Sequence, residues 1–397
     1  MYTFDFLLNF NDKNITFEEI KYIKQKGIGQ YLFEMGIEFS KTLESYDLID
    51  NNLNNIGYFI NYKTKSEKNL FYFRDCSKNF VNFENAKFYR VVLLCLCNLD
   101  ELMKFFLFKN ELKNIMDKDS IYTKHFAEIA NDLWSIDDKE TNVNLFVNLM
   151  KEIQKTNKNN IFQNIKLLIE FLILNLHNEQ KIDNSEKNLT KQTDLSEIYG
   201  SYDEIQQNFY LYNDSNIGNL FFFDLEIKYH CKSCGQTYYQ YSVECTLEIN
   251  LEEVKKKNLE AISIYNILDC LKKEDNSICE CNQTLEKNIS FIKPPKFLII
   301  IIKKEEDENI KFLLEKSINI NIYSYMSKSI SLYGIKKSYE LVSFIQNKLN
   351  FFCKSKNGND FFKLEGKNIN KKLNFNNSNK SNYKINVPYL LVYKKKE

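Results

Sequence analysis

The sequence predicts an α+β fold in which a helical half precedes a half built mainly from antiparallel strands, and three observations carry that reading. Between residues 88 and 177, apolar side chains recur at three- and four-residue spacing, the period of a helix with one buried stripe. From about residue 219 onward the pattern changes to short runs rich in aromatic and β-branched residues, the composition of strands. With 397 residues, 44% hydrophobic and 15% aromatic, the chain has enough apolar material for one large domain or two ordinary ones.

The elements follow in order. QYLFEMGIEF (30–39) is strand-like, and YDLIDNNLNNIGYFINY (46–62) suits a small sheet with turns, so residues 1–79 are expected to form a small module and its linker. Residues 88–107 read as a single helix, followed by helices over 121–134, 142–155 and 160–177, which together define a helical lobe over 80–180. The Asn- and Lys-rich NEQKIDNSEKNLTKQTD (178–194) has too little apolar surface to fold, and a linker is expected over 181–204. Residues 205–397 then supply NLFFFDLEIKYH, QTYYQYSVECTLEI, SFIKPPKFLIIIIKK, SYELVSFI, LNFFCKS, DFFKLEG and PYLLVYK, broken by a short helix around ISIYNILDCL (262–271). No internal repeat is visible.

Composition narrows the partners. Lys plus Arg number 54 against 53 Asp plus Glu, so a net charge of +1 provides no field to draw in nucleic acid or an anionic membrane. The KKK runs at 255–257 and 394–396 read as solvated faces among interspersed acids, and direct RNA contact is not expected. The longest apolar run, at 297–302, is far too short to span a bilayer. Ten scattered cysteines without a secreted framework suit reduced thiols in the cytosol or nucleus, so proteins are the expected partners. The abundance of Asn and Lys is the signature of an AT-rich, compact genome.

One group of residues has the chemistry of a metal site. Cys231-x-x-Cys234 places two sulfurs on one turn, and Cys279-x-Cys281 offers two more with one residue fewer between them. Four thiolates suit a tetrahedral zinc ion.

Several landmarks in chain order now resemble the catalytic domain of the ubiquitin-specific proteases, papain-like cysteine peptidases built as fingers, palm and thumb. Residues Asn82-Phe83-Glu84-Asn85-Ala86-Lys87 stand where that family carries its nucleophile box, HCKSCG (230–235) and CEC (279–281) resemble its two zinc knuckles, and FIKPPKFLIIIIKK (291–304) resembles its apolar strand after a proline. SYELVSFI, LNFFCKS, DFFKLEG and VPYLLVYK resemble the strands that deliver its histidine and acid. The resemblance implies a helical thumb, antiparallel palm and fingers, and one structural zinc on Cys231, Cys234, Cys279 and Cys281. It also places Lys87 at the cysteine, Lys348 at the histidine and Glu365 at the acid.

Those three degenerate positions exclude the family's chemistry. A thiol is activated by a group that titrates near the working pH, and a lysine beside a glutamate is no such base. The only histidines are His125, His177 and His230, so none can come from the C-terminal box. Cys95 and Cys97, in VVLLCLCNL, read as small buried core residues, and Trp134 reads as a core or lobe-interface anchor. The expectation is a protein with no enzymatic activity.

Within the family the chain is most similar to the catalytically inactive branch associated with the spliceosomal tri-snRNP. QYLFEMGIEFSKTLESYDLIDNNLNNIGYFI (30–60), HFAEIANDLWS (125–135), ISIYNILDCL and FLLEKSINI (312–320) share in that likeness. It implies a scaffold in pre-mRNA splicing, tri-snRNP proteins as partners, and a nuclear location, here a reduced nucleus if the genome is compact. The alternatives are a deubiquitinase, or an inactive ubiquitin-binding member of another complex; weak ubiquitin binding stays open. The branch's N-terminal module is a ubiquitin-binding-type zinc finger. Here it keeps one cysteine, Cys76, and no histidine, so it is read as degenerate.

Overall fold

The computed structural model describes residues 88–107, 120–133, 143–156, 161–180, 215–255, 259–304, 310–328, 337–347, 350–354, 361–365, 368–373 and 384–396. The N-terminal module expected over 1–79, the linker over 181–204 and Trp134 lie outside the described residues. The chain divides into two compact units, one of residues 1–82 and 96–158, the other of 83–95 and 159–397.

In the first unit, α2 (Asp100–Leu107), α3 (Ile121–Leu133) and α4 (Val143–Thr156) pack by their apolar stripes. α4 buries Phe146, Leu149, Met150 and Ile153, the one-face spacing of an amphipathic helix. Phe106 of α2 meets Phe126 of α3 with ring centroids 4.7 Å apart, and the Tyr122 hydroxyl of α3 donates to the Glu152 carbonyl of α4 at 3.5 Å. The single helix expected over 88–107 is two. α1 (Tyr89–Leu96) ends in a turn at 97–99, and α2 restarts with Asp100 and Glu101 in its first turn, where acids favour the positive end of a helix.

The second unit holds α5 (Ile165–Glu179), which Asn164 caps by accepting from the N–H groups of Lys166 and Leu167. α6 (Asn216–Phe221) is capped by the Ser215 hydroxyl, which accepts from the Gly218 N–H at 2.9 Å. A Cβ on Gly218 would stand 3.3 Å from the Phe222 ring and from Ser215 Oγ, and 3.4 Å from His177 Nδ1, so only hydrogen fits without displacement.

Strands β1 (Phe223–His230), β2 (Thr237–Glu244), β5 (Lys272–Ile278) and β6 (Thr284–Lys293) form a four-stranded antiparallel sheet in the order β2-β1-β6-β5. The eight-stranded sheet runs β13-β12-β11-β10-β15-β7-β3, with β9 also paired to β10. Its members are β3 (Leu247–Asn250), β7 (Phe297–Lys303), β9 (Asn319–Asn321), β10 (Ser338–Ile345), β11 (Phe351–Lys354), β12 (Phe361–Glu365), β13 (Asn368–Leu373) and β15 (Leu390–Lys395). A small sheet joins β14 (Lys384–Asn386), β8 (Lys311–Leu313) and β4 (Ala261–Ile262), and α7 (Leu251–Lys255) and α8 (Ile264–Leu268) lie among these strands in sequence.

β7 is buried along nearly its whole length. Residues Phe297 to Ile302 are all buried, which explains why FLIIII is a continuous apolar run and not an alternating one. Two expected single strands are each divided. SFIKPPKFLIIIIKK gives β6 and β7 in different sheets, because Pro294 and Pro295 lack the N–H groups a ladder needs. QTYYQYSVECTLEI gives β2 and β3, also in different sheets. Most pairings are antiparallel; β3 with β7 and β4 with β8 are parallel.

Buried polar groups are paired where the sheets meet their turns. The Tyr339 hydroxyl donates to the Pro295 carbonyl at 2.5 Å, and the Tyr393 hydroxyl donates to the Ser317 carbonyl at 2.8 Å. Ser317 Oγ in turn accepts from the Ile264 N–H at 3.0 Å, opening α8, and donates to the Leu313 carbonyl at 2.8 Å. Among the described residues, no helix is long and apolar enough to cross a membrane.

Candidate functional site

The four-stranded sheet delivers two turns to one end. Register His230↔Thr237 closes the β1–β2 hairpin, Ile278↔Thr284 closes β5–β6, and His230↔Glu286 joins the two hairpins side by side. Cys231 and Cys234 lie in the first turn, Cys279 and Cys281 in the second.

The two turns have the same construction in different lengths. In the first, the Cys231 N–H donates to the Gln236 carbonyl at 2.9 Å and the Gly235 N–H donates to the Cys231 carbonyl at 2.9 Å. In the second, the Cys279 N–H donates to the Gln283 carbonyl at 2.8 Å and the Asn282 N–H to the Cys279 carbonyl at 2.8 Å. The left-handed residue needed to turn the chain back is Gly235 in one, at φ 76°, and Asn282 in the other, at φ 64°. The missing residue of Cys279-x-Cys281 is thus absorbed by a tighter turn, and both of its sulfurs still reach the cluster.

The four Sγ atoms all lie within 4.8 Å of one another. Cys231 and Cys281 are 3.4 Å apart, and Cys234 and Cys279 are 3.5 Å apart. A tetrahedral ion with metal–sulfur bonds of about 2.3 Å needs sulfurs about 3.8 Å apart, so the set fits a metal with little movement. All four are free thiols. Cys231 and Cys279 are buried against Leu285 and Tyr229, whereas Cys234 and Cys281 are exposed. The Gln236 side-chain oxygen accepts from the Tyr238 hydroxyl at 2.8 Å and from Cys279 Sγ at 3.4 Å, forming an outer layer to the cluster.

The backbone N–H of Cys234 lowers the Cys231 thiol to about 6, while its hydrogen bond to Cys231 pushes Cys281 up to about 12. A thiol held low in this way is the form a cation takes up.

The residues placed at the catalytic positions meet a different fate. Lys87 and Lys348 lie outside the described residues. Glu365 is the last residue of β12. The residue directly before the first phenylalanine of β11 is Asn350, whose N–H donates to Asn347 Oδ1 at 2.7 Å and whose carbonyl accepts from the Gln346 N–H at 3.1 Å.

Cys95 is wholly buried in α1, with Sγ 3.4 Å from Ser343 Oγ on β10, and burial pushes its thiol up to about 12. Cys97 is buried as well. His125 Nδ1 lies 3.3 Å from Glu128, His177 Nδ1 lies 2.6 Å from Ser215 Oγ, and His230 Nδ1 lies 3.1 Å from Thr237 Oγ1. His177 is buried, its ring edge-on to Phe222. The sequence reading missed Gln236, Asn282 and Gln283, although the repeated tripeptides Cys-Gly-Gln and Cys-Asn-Gln were the available signal.

Geometry and sequence converge on one family. Residues 79–393 match the family described as ubiquitin carboxyl-terminal hydrolase, and the chain belongs to it. Its fold is that of the ubiquitin-specific proteases, and solved structures of Ubp8 share it. Ubp8 in the SAGA DUB module with Sgf11, Sus1 and Sgf73, bound to monoubiquitin, aligns with a TM-score of 0.56 at 18% identity, covering 80% of this chain and 68% of that one. The same module bound to ubiquitin aldehyde aligns at 0.54 and 17%, covering 79% and 68%. A yeast SAGA module structure aligns at 0.54 and 17%, covering 80% and 68%. No curated protein sequence matches the chain.

Proposed function

We propose that this family member has given up hydrolysis and acts by contact alone, as a scaffold for assembly or stability of the spliceosomal tri-snRNP in the nucleus. The observation that carries the first half is the absence of any histidine after His230, and the resemblance, which gives Lys87 the position of the nucleophile, supports it. Without an imidazole on the C-terminal strands, no side chain there takes a thiol's proton near neutral pH. Burial of Cys95, with its thiol held near 12, supports the same view, because a neutral, enclosed sulfur is not an attacking group.

The second half rests on the likeness, outside the protease boxes, to the inactive tri-snRNP branch. Such a scaffold works through its surface, and zinc on Cys231, Cys234, Cys279 and Cys281 would hold the tip of that surface rigid. When bound there, the ion supplies cross-linking and no chemistry; the four side chains and the two turns set its position.

Family membership itself favours a second reading, a working ubiquitin hydrolase. A ubiquitin probe with a C-terminal electrophile separates the two. No covalent adduct is expected under conditions that label an active family member, and an adduct on any cysteine would overturn the assignment. Affinity purification of the full chain from its own cells should enrich tri-snRNP proteins; their absence beside a different stable complex would remove the splicing role.

A further inference from the structure

The arrangement of the four thiols carries a property that metal binding does not require. Two close sulfur pairs bridge the two turns, Cys231 with Cys281 at 3.4 Å and Cys234 with Cys279 at 3.5 Å. Each pair also joins a buried cysteine to an exposed one, since Cys231 and Cys279 are buried and Cys234 and Cys281 are exposed. Two sulfurs held this close suit a peroxide-sensing thiol pair, in which one sulfur meets the oxidant and its neighbour resolves it.

We propose that the fingertip is a redox site at which a hydroperoxide converts the four thiols into two disulfides across the turns, Cys231–Cys281 and Cys234–Cys279. In each pair one sulfur attacks one peroxide oxygen, the O–O bond breaks, and the products are a sulfenic acid and water. The other sulfur then attacks the sulfenic sulfur, the S–O bond breaks, and the hydroxyl leaves as a second water with the remaining thiol proton. Each disulfide consumes one hydrogen peroxide and two thiols and yields two waters. A site that starts with a divalent ion on four thiolates takes up four protons from solvent and releases the ion.

Pairing across the turns also follows from the geometry of the alternatives. Sulfurs 3.4 and 3.5 Å apart must close to about 2.05 Å, and closure of both pairs draws the hairpins together without opening either turn. Pairing within the turns would have to close Cys279 to Cys281 across the single residue Glu280, in a turn already fixed by the Asn282 and Cys279 N–H bonds. The oxidised fingertip would remain stapled, so the metal and the two disulfides are interchangeable restraints on the same four strands. The thiol state returns with a dithiol reductant.

The experiment uses the full wild-type chain, zinc-loaded or stripped with EDTA, titrated with hydrogen peroxide and digested without reduction. Trypsin separates Cys231 from Cys234 at Lys232, and a glutamyl endoprotease separates Cys279 from Cys281 at Glu280, so mass spectrometry tells all three pairings apart. The expected result is Cys231–Cys281 and Cys234–Cys279 as the dominant links at two equivalents of peroxide, reversed by dithiothreitol. From loaded protein, one equivalent of zinc should be released to a chromogenic chelator in step with the links. In the Cys281→Ser variant only the Cys234–Cys279 link should remain. Dominance of Cys231–Cys234, of Cys231–Cys279, or of sulfinic acids without links would overturn the proposal.

Discussion

Glu244, at the end of β2, tests whether burial or ion pairing governs the corner where α5 meets the strands. Desolvation raises its carboxyl from the ordinary 4.5 to about 6, and the neighbouring Glu170 carboxylate pushes the same way, while Lys166 opposes both. Glu170 is itself raised, chiefly by burial, although it accepts from the Thr246 hydroxyl at 2.5 Å. Lys166 is shared with Glu248, 2.8 Å away, and so does not neutralise the pair.

A carboxyl whose folded value lies above its unfolded one favours folding in its protonated form. Its contribution is therefore complete below about 4.5 and is lost as the pH rises through about 6. The displacement from 4.5 to about 6 corresponds to about 2 kcal/mol of stability given up by pH 7.5. Glu244→Gln keeps the shape and cannot ionise, so it should recover up to about 2 kcal/mol at pH 7.5 and almost nothing at pH 4. Urea unfolding of wild type and variant at several pH values between 4 and 7.5 measures this directly. A difference that does not change with pH, or a variant less stable at pH 7.5, would refute burial as the dominant cause.

Three further outcomes are expected. Gly218→Ala forces a Cβ to within 3.3 Å of Phe222 and Ser215 Oγ, and overpacking there should cost about 1–3 kcal/mol in urea unfolding. Tyr393→Phe leaves the buried Ser317 carbonyl without its 2.8 Å donor and should cost about 1–3 kcal/mol, with little change in the denaturant slope. Stripping zinc with EDTA should raise amide exchange at residues 231–236 and 279–283 while leaving β7 protected; elemental analysis finding no metal in protein purified without chelator would end the zinc assignment.

Much of this molecule was legible because its signals were local and periodic. The stripe Phe146, Leu149, Met150, Ile153 and the solid run FLIIII identify an amphipathic helix and a doubly covered strand without tertiary information. The four cysteines were legible as ligand chemistry, but not as a geometry. Whether Cys279-x-Cys281 could reach its partners depended on Asn282 adopting a left-handed φ, which residue spacing alone does not determine. The break between α1 and α2 was hidden because apolar residues continue through Cys97 and Leu99 at helical spacing, and only the Asn98-Leu99-Asp100-Glu101 sequence marked a new first turn. β5, with the sequence KKEDNSI, was missed because it has almost no apolar content; it lies on the edge of its sheet, where charged residues are tolerated.

The Pro294-Pro295 step gives the hairpin sheet a mechanical link to the interior. On one side the Phe291 carbonyl is held by the Ser327 N–H at 2.8 Å; on the other, Lys296 is held by the Lys395 N–H at 2.8 Å, with Tyr339 gripping Pro295 between them. A pull on the cysteine tip therefore travels along β6 as along a cantilever and arrives at the clamped root of the most enclosed strand. Whatever seizes that far end has leverage on a strand whose first six residues are shut away from water.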